Sequence, residues 1–105
     1  MKRVVRIKSS PKDRALKVLK TIIDPEIGEN IVDLGLIYDL KVENERVEVL
    51  MTLTSFGCPL AGFFVKEIES RLRNAGFKDV KVEITFDPIW TPERMSKEVR
   101  KRLGI

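Results

Sequence analysis

Histidine is absent from this 105-residue chain, and cysteine occurs once, at Cys58. Without histidine, neither a Cys–His nor a Ser–His pair can form, so the usual hydrolase mechanisms are excluded. A single cysteine also excludes a CxxC redox motif and an intrachain disulfide framework. A closed metal or cluster site needs about four nitrogen or sulfur ligands, so any such site must take ligands from a second chain, from carboxylates or from outside thiols.

Other signatures are missing as well. The sequence contains no glycine-rich phosphate loop with its lysine and no dinucleotide fingerprint. No apolar run approaches the roughly 18 residues of a membrane span, and the charged start lacks the apolar run of a signal peptide. Glutamine is absent and 34% of residues are charged, a composition that suggests a thermophile. We expect one cytoplasmic, reduced domain over residues 1–105, with a basic N-terminal arm at 1–9.

The formal charge of +4 is unevenly distributed. Residues 1–20 carry a net charge of +7 and residues 92–105 carry +3, whereas residues 21–91 carry −6. A basic arm is typical of some nucleic-acid-binding proteins. However, no aromatic residue precedes Tyr38, and the lysines near the start fall on the solvated face of an expected helix. The sequence therefore argues against nucleic acid or a membrane as the partner.

The apolar spacing predicts the elements of the fold. Ser10 and Pro11 form a helix start, and that helix is expected to end at Asp24, ahead of a proline. The ten residues 24–33 follow no clean period and hold four carboxylates, so we expect a structured loop. Beyond it we expect a hairpin of strands at 36–42 and 46–53, a helix at 59–75, a strand at 80–86 and a short C-terminal helix opening at Pro92.

These elements predict an α/β fold of the two-layer α+β kind. A small mixed three-stranded sheet, made of the hairpin plus one parallel strand, packs against two main helices, and a short C-terminal helix follows. The third strand is expected to lie parallel to the second because a helix connects them.

Residues 51–64, MTLTSFGCPLAGFF, contain the candidate site. Here a strand passes into a helix, and Cys58 lies between Gly57 and Pro59 at the expected helix start. Unpaired backbone N–H groups at a helix N-terminus stabilise a thiolate, which lowers the cysteine pKa from its usual value of about 8.5. The Thr54 and Ser55 hydroxyls precede the thiol and could donate to sulfur or to a bound ligand.

Simpler interpretations of the same residues remain open. A lone cysteine is often a small buried hydrophobe. Asp24 and Glu26 could be solvated acids at a helix end, whereas close to Cys58 they would oppose a thiolate and favour a metal or a cationic ligand. Trp90 fits a core or edge anchor better than a ligand contact. Phe63 falls off the apolar stripe of its helix, so it either packs under a loop or contacts a partner.

Three motifs carry a family resemblance: DPEIGENIVDLGLIYD, MTLTSFGCPL and FDPIWTPERMS, in that order. From about Ala15 to Met95 the sequence resembles the iron–sulfur cluster assembly factor family. That family includes SufT-type proteins, the PaaD-type subunit of phenylacetate degradation and a small eukaryotic cytosolic assembly subunit. Because the chain lacks the C-terminal cysteines of the PaaD type and an attached ATPase domain, it is most similar to the stand-alone SufT type.

The resemblance implies a non-enzymatic accessory factor in the assembly or delivery of iron–sulfur clusters, with no catalytic residues. Its partners would be assembly proteins and client apoproteins. A cluster would bind only transiently, with Cys58 as a ligand shared across a homodimer. The implied site comprises Asp24, Glu26, Ile27, Thr54, Ser55 and Cys58, supported by Asp33, Gly57, Pro59, Asp87 and Trp90. The chain departs from the family pattern in having Ser55 where a second threonine is common and Phe56 before the glycine.

Two alternatives accompany this hypothesis. The chain could be an accessory subunit of a multicomponent oxygenase or hydroxylase of the phenylacetate-degradation type. It could also be a structural adaptor in which Cys58 is inert.

Overall fold

A computed structural model describes residues 10–54 and 60–105. In chain order these ranges contain α1 (Pro11–Leu19), β1 (Ile37–Glu43), β2 (Arg46–Met51), α2 (Ala61–Asn74), β3 (Asp79–Ile84), a 3₁₀ helix (Pro92–Arg94) and α3 (Lys97–Leu103). The predicted fold class is confirmed. Within the described ranges, no helix is both long and apolar enough to cross a membrane.

The sheet has the order β1-β2-β3. β1 and β2 are antiparallel, with Glu43 opposite Arg46 across a turn in which Asn44 adopts a positive φ of 55°. β3 lies parallel to β2, as predicted from the α2 connection. Along β2, Val47, Val49 and Met51 are buried and alternate with more exposed residues, so one face of the sheet supports the core.

The two long helices cover that face. α2 buries Phe64, Ile68 and Leu72 at helical spacing, and α1 buries Ala15 and Leu19. Together with β2 these residues belong to one hydrophobic core, which the loop between α1 and β1 and the C-terminal segment complete. The core residues contributed by those two segments are Ile22, Ile31, Leu34, Leu36, Met95 and Val99.

The first helix ends at Leu19, so the prediction that it runs to Asp24 was wrong. Backbone hydrogen bonds of the tighter i−3 type replace the helical ones here: the Thr21 N–H donates to the Val18 carbonyl at 3.0 Å, and the Ile22 N–H donates to the Leu19 carbonyl at 3.1 Å. An isolated bridge between Ile23 and Asn30 then makes the chain extended. Tertiary pairing thus ends the helix one turn before the proline would.

The C-terminal helix also differs from expectation. Pro92 opens only a 3₁₀ turn, Met95 is extended, and α3 begins at Lys97. The Ser96 side chain caps α3 by accepting from the Val99 N–H at 3.2 Å, while the Ser96 N–H donates to the Asp33 carbonyl at 2.8 Å. Burial of Met95 and this long-range hydrogen bond divide the expected single helix in two.

Candidate functional site

Asp24 organises the turn that follows α1. Its side chain is buried, with the residue 2% exposed, and its Oδ1 accepts from the Glu26 N–H at 2.8 Å. The Asp24 carbonyl accepts from the Gly28 N–H at 2.7 Å, and the Asp24 N–H donates to the Glu29 carbonyl at 2.9 Å. An aspartate that binds the N–H two residues on stabilises an Asx turn. Residues 24–29 therefore form an ordered turn, and Asp24 is more than a helix stop.

A ladder of backbone hydrogen bonds connects this turn to the end of β2. The Ile31 N–H donates to the Ile22 carbonyl at 3.0 Å, the Leu36 N–H to the Ile31 carbonyl at 3.1 Å, and the Thr52 N–H to the Leu36 carbonyl at 2.8 Å. The loop containing Asp24 is thus tied to the residues that follow β2. Thr54, which is half-buried, follows two residues after Thr52, the last residue of this ladder.

The C-terminal segment, residues 90–96, packs against the other side of the same loop. The Trp90 indole N–H donates to the Leu34 carbonyl at 2.7 Å, and Trp90 is half-buried against the core. Gly35 has a positive φ of 78°, and a Cβ there would lie 2.6 Å from the Arg94 Cβ, so the two backbones are in close contact. Residues 33–36 therefore lie between the end of β2 and residues 90–96.

Glu29 and Arg102 form an ion pair that joins the loop to α3. The Arg102 Nε and Nη2 donate to the two Glu29 carboxylate oxygens at 3.0 and 2.8 Å. The Glu29 side chain is 14% exposed and that of Arg102 is 56% exposed. These hydrogen bonds hold the pKa of Glu29 below its ordinary value of 4.5, against a smaller opposing effect of burial. The bidentate geometry makes this pair more specific than an ordinary surface contact.

A pH prediction follows from the lowered Glu29 pKa. A carboxylate with a depressed folded-state pKa stabilises the protein above its unfolded-state pKa, and that stability is lost as the pH falls through the folded-state value. We expect Glu29→Gln to lower Tm at neutral pH, and the difference from wild type to shrink below pH 4.5. Thermal unfolding of both proteins at neutral pH and at about pH 3 measures this. A difference independent of pH would contradict the account.

Thr52 carries a buried hydroxyl just beyond the end of β2. The residue is fully buried, and its Oγ1 has no hydrogen-bond partner among the described residues. Burying a hydroxyl without a hydrogen bond is unfavourable by about 1–3 kcal/mol in protein mutants. Sequence alternation could not identify this residue, because a threonine within a strand is unremarkable.

Replacing Thr52 with valine is expected to stabilise the protein by about 1 kcal/mol, since it removes the unpaired hydroxyl and keeps the branched shape. Thr52→Ser provides the matched comparison, because it keeps the hydroxyl and removes the methyl group, and it should destabilise by a similar amount. Urea unfolding of the three proteins measures both changes. A loss of stability in the valine variant would mean that the hydroxyl is hydrogen-bonded in the folded protein.

The structure brings some of the predicted site residues together and leaves others apart. Asp24 is buried, Glu26 is exposed and Ile27 is half-buried against the core, all within one turn. Asp33 is half-buried and accepts from the Asn30 side-chain amide at 2.9 Å. Asp87 is exposed, and its N–H donates to the Thr85 hydroxyl at 3.1 Å. In residues 10–54 and 60–105, no three His, Cys, Asp or Glu side chains are grouped as metal ligands would be.

Four predicted residues, Ser55, Gly57, Cys58 and Pro59, lie outside the described residues. The helix that follows them begins at Ala61, two residues later than predicted, and its N-cap residue Leu60 makes no side-chain capping hydrogen bond. Phe63, in the first turn of α2, is 43% exposed and contacts Phe64 edge to face at 5.4 Å between ring centroids. Exposure of Phe63 agrees with its position off the apolar stripe.

Sequence reasoning missed the contacts that hold the loop in place. The sequence indicates Glu29 only as one of the four carboxylates in residues 24–33, because its partner Arg102 lies 73 residues away. Tyr38 was also missed: its hydroxyl donates to the Pro88 carbonyl at 2.8 Å, and the Arg94 guanidinium stacks over its ring at 4.5 Å. Since these pairs are distant in sequence, no local signal identifies them.

Comparison with known proteins shows which family the chain belongs to. A family model described as "Iron-sulfur cluster assembly protein" matches residues 12–84. The chain is 40% identical over 96 residues to the Fe-S protein maturation auxiliary factor YitW of Bacillus subtilis, covering 90% of this chain and 94% of that one. It is also 40% identical to the Fe-S protein maturation auxiliary factor SufT of Staphylococcus aureus, covering 80% of this chain and 98% of that one.

A solved structure is similar to this chain in both fold and sequence. A crystal structure of a domain of unknown function from Bacillus anthracis superposes with a TM-score of 0.83 at 37% identity, covering 90% of this chain and 92% of that one. The architecture described above is therefore shared with a protein related in sequence.

Proposed function

Since this chain belongs to the iron–sulfur cluster assembly protein family, we propose that it is an accessory factor that helps to assemble iron–sulfur clusters or to deliver them to client proteins. The structural observation that best supports the proposal is the ladder of backbone hydrogen bonds from Ile22 to Thr52. It ties the Asp24 turn to the end of β2, the strand from which the chain continues to Cys58.

Cys58 is the central residue of the proposed site. As the only cysteine, it supplies the thiolate that contacts iron or reacts with a partner. α2 begins three residues after Cys58, and its N-cap residue Leu60 makes no side-chain capping hydrogen bond. The partial positive charge at a helix N-terminus favours a nearby anion such as a thiolate.

The other site residues shape the surroundings of the thiol. Asp24 holds the neighbouring turn through its bond to the Glu26 N–H, and Glu26 presents an exposed carboxylate beside it. Thr54 and Ser55 supply hydroxyl donors. Ile27 contributes a half-buried apolar surface. The carboxylates favour a cationic cargo such as iron over an anionic one.

A cluster is cargo in this proposal and binds only transiently. One thiol is too few to hold a cluster alone, because such clusters take about four ligands. The remaining ligands come from the donor, from the client, from a small thiol or from Cys58 of another copy. The chain passes the cluster on without catalytic turnover of its own, a role that agrees with the auxiliary-factor names of its relatives.

Removal of the protein from its native host tests the function. We expect enzymes that contain iron–sulfur clusters to lose activity while their protein amounts stay constant, and enzymes without clusters to be unaffected. Capture of the tagged chain should bring down assembly proteins or cluster-free client proteins. Capture of oxygenase subunits instead, with normal cluster enzymes in the depleted strain, would support the alternative role as an oxygenase accessory subunit.

A further inference from the structure

β3 has an outer edge that pairs with nothing in the described part of the chain, since its only sheet neighbour there is β2. The Thr85 N–H donates to the Met51 carbonyl at 2.8 Å. Because backbone groups alternate in direction along a strand, the N–H and C=O groups of Val80, Val82 and Ile84 point away from β2. This edge therefore offers a regular row of backbone donors and acceptors.

The apolar side of β3 is also incompletely covered. Val80 is buried, but Val82 and Ile84 are only half-buried, whereas the corresponding residues of β2 are fully buried. An edge strand with free backbone groups and partly exposed apolar side chains is suited to pairing with another strand.

The opposite edge of the sheet is blocked. On β1 the outward-pointing Leu40 N–H donates to the Asp39 Oδ1 at 2.9 Å, so a side chain already occupies the centre of that edge. The register between β1 and β2 also shifts between Ile37 and Asp39. Irregularities and local side-chain bonds of this kind oppose strand addition. Of the two edges, that of β3 is the one that residues 10–54 and 60–105 leave open.

We propose that β3 pairs antiparallel with β3 of a second copy of this chain, centred on Val82, to make a continuous six-stranded sheet. In this register Val82 faces Val82 of the second copy as a hydrogen-bonded pair, and Val80 faces Ile84. The outward backbone groups of the three residues are then all paired. The half-buried apolar side chains lie against each other on the helix side of the sheet.

The charges on the other face match in the same register. Lys81 lies opposite Glu83 of the second copy, and Glu83 opposite Lys81. Within the chain Lys81 already lies opposite Glu48, which lies opposite Lys41, so the row of alternating charges continues across the new boundary. Opposite charges directly across a strand pair are favourable and like charges are unfavourable. An interface that contacts itself in this way is typical of a two-fold dimer.

This dimer keeps the two candidate sites apart. β2 ends at Met51, two residues beyond the level of the two-fold axis, so the ends of the two β2 strands lie about 13 Å apart along the strands and point in opposite directions. The two Asp24 turns, each tied to the end of its own β2, therefore lie on opposite sides of the two-fold axis. Association through β3 does not depend on the proposed role in cluster assembly.

Charge variants test the pairing. Under reducing conditions, sedimentation of the full chain should show a mass that rises with concentration from 12.1 kDa towards twice that value. Lys81→Glu or Glu83→Lys alone should weaken the dimer at least about tenfold, because each places like charges opposite each other twice. A mixture of the two single variants should associate again, since each supplies the charge that the other needs. The double variant should recover the wild-type affinity to within about threefold.

Lys41→Glu is the matched control, because Lys41 also faces Glu48 but lies on the blocked edge. The dimerisation affinity of this variant should equal that of wild type. Amide exchange gives a second readout: the Val82 and Ile84 N–H groups of wild type should become protected as concentration rises. A monomer at all concentrations, a dimer lost on reduction, or failure of the mixed variants to associate would overturn the proposal. So would protection independent of concentration, which would indicate pairing within one chain, for example with residues 1–9.

Discussion

Replacing Gly35 with alanine is expected to lower the free energy of unfolding by about 3 kcal/mol. Gly35 has a φ of +78°, and its added Cβ would lie 2.6 Å from the Arg94 Cβ and 2.7 Å from the Arg94 carbonyl carbon. The left-handed backbone is unfavourable for alanine by about 1–2 kcal/mol, and an overpacked contact adds about 1–3 kcal/mol. Because the obstructing atoms belong to or adjoin backbone, the clash cannot be relieved by a side-chain rotation.

Gly28→Ala separates the two causes. Gly28 has a similar φ of +84° but nothing within 4 Å of the added Cβ, so only the backbone strain of about 1–2 kcal/mol applies. Urea unfolding of both variants measures the difference. Trp90 is the only tryptophan and lies on the segment that Gly35 contacts, so its fluorescence should change in the Gly35 variant alone. Equal losses of stability would show that residues 33–36 and 90–96 are not closely packed.

Asp24→Ala is expected to reduce both stability and cluster handling. The substitution removes the acceptor for the Glu26 N–H and leaves a gap where a buried side chain lay. Loss of such a side-chain to backbone hydrogen bond lowers stability by about 1–2 kcal/mol. The turn beside the proposed site would loosen, and the Glu26 amide should exchange faster with solvent.

Asp24→Asn distinguishes shape from charge. The asparagine side chain keeps an oxygen that can accept from the Glu26 N–H, so stability should stay within about 0.5 kcal/mol of wild type. If the carboxylate itself attracts a cationic cargo, cluster transfer should still fall in this variant. Unfolding curves and transfer rates measured on the same preparations give both values. Normal transfer in the alanine variant would remove the Asp24 turn from the site.

The elements with strong local periodicity could be predicted from the sequence. The hairpin around Asn44, the buried stripe of α2 and the parallel placement of β3 follow from spacing and connection length. The end of α1 and the start of α3 could not, because they depend on contacts such as the Ser96 N–H to the Asp33 carbonyl, which join residues distant in sequence. Local propensity is overridden where a buried backbone group finds a tertiary partner.

The candidate site, like the fold, could be predicted only in part from the sequence. The Asp24 turn could be recognised from its residue types, yet its attachment to the end of β2 depends on the Thr52 to Leu36 pairing, which the sequence does not reveal. The Glu29–Arg102 pair and the buried Thr52 hydroxyl, which has no partner among the described residues, were not predicted, because neither has a local signature. The role of Cys58 stays a prediction.

Cluster transfer by wild type and Cys58→Ser tests the central claim most directly. The protein is incubated anaerobically with ferric iron, sulfide and a small thiol reductant, an apo-ferredoxin is added, and the formation of holo-ferredoxin is followed by its visible absorption. Serine keeps the size of the side chain but removes the thiolate that binds iron. We expect wild type to accelerate transfer and the variant to match the rate without protein. Transfer by the serine variant at the wild-type rate would contradict the account.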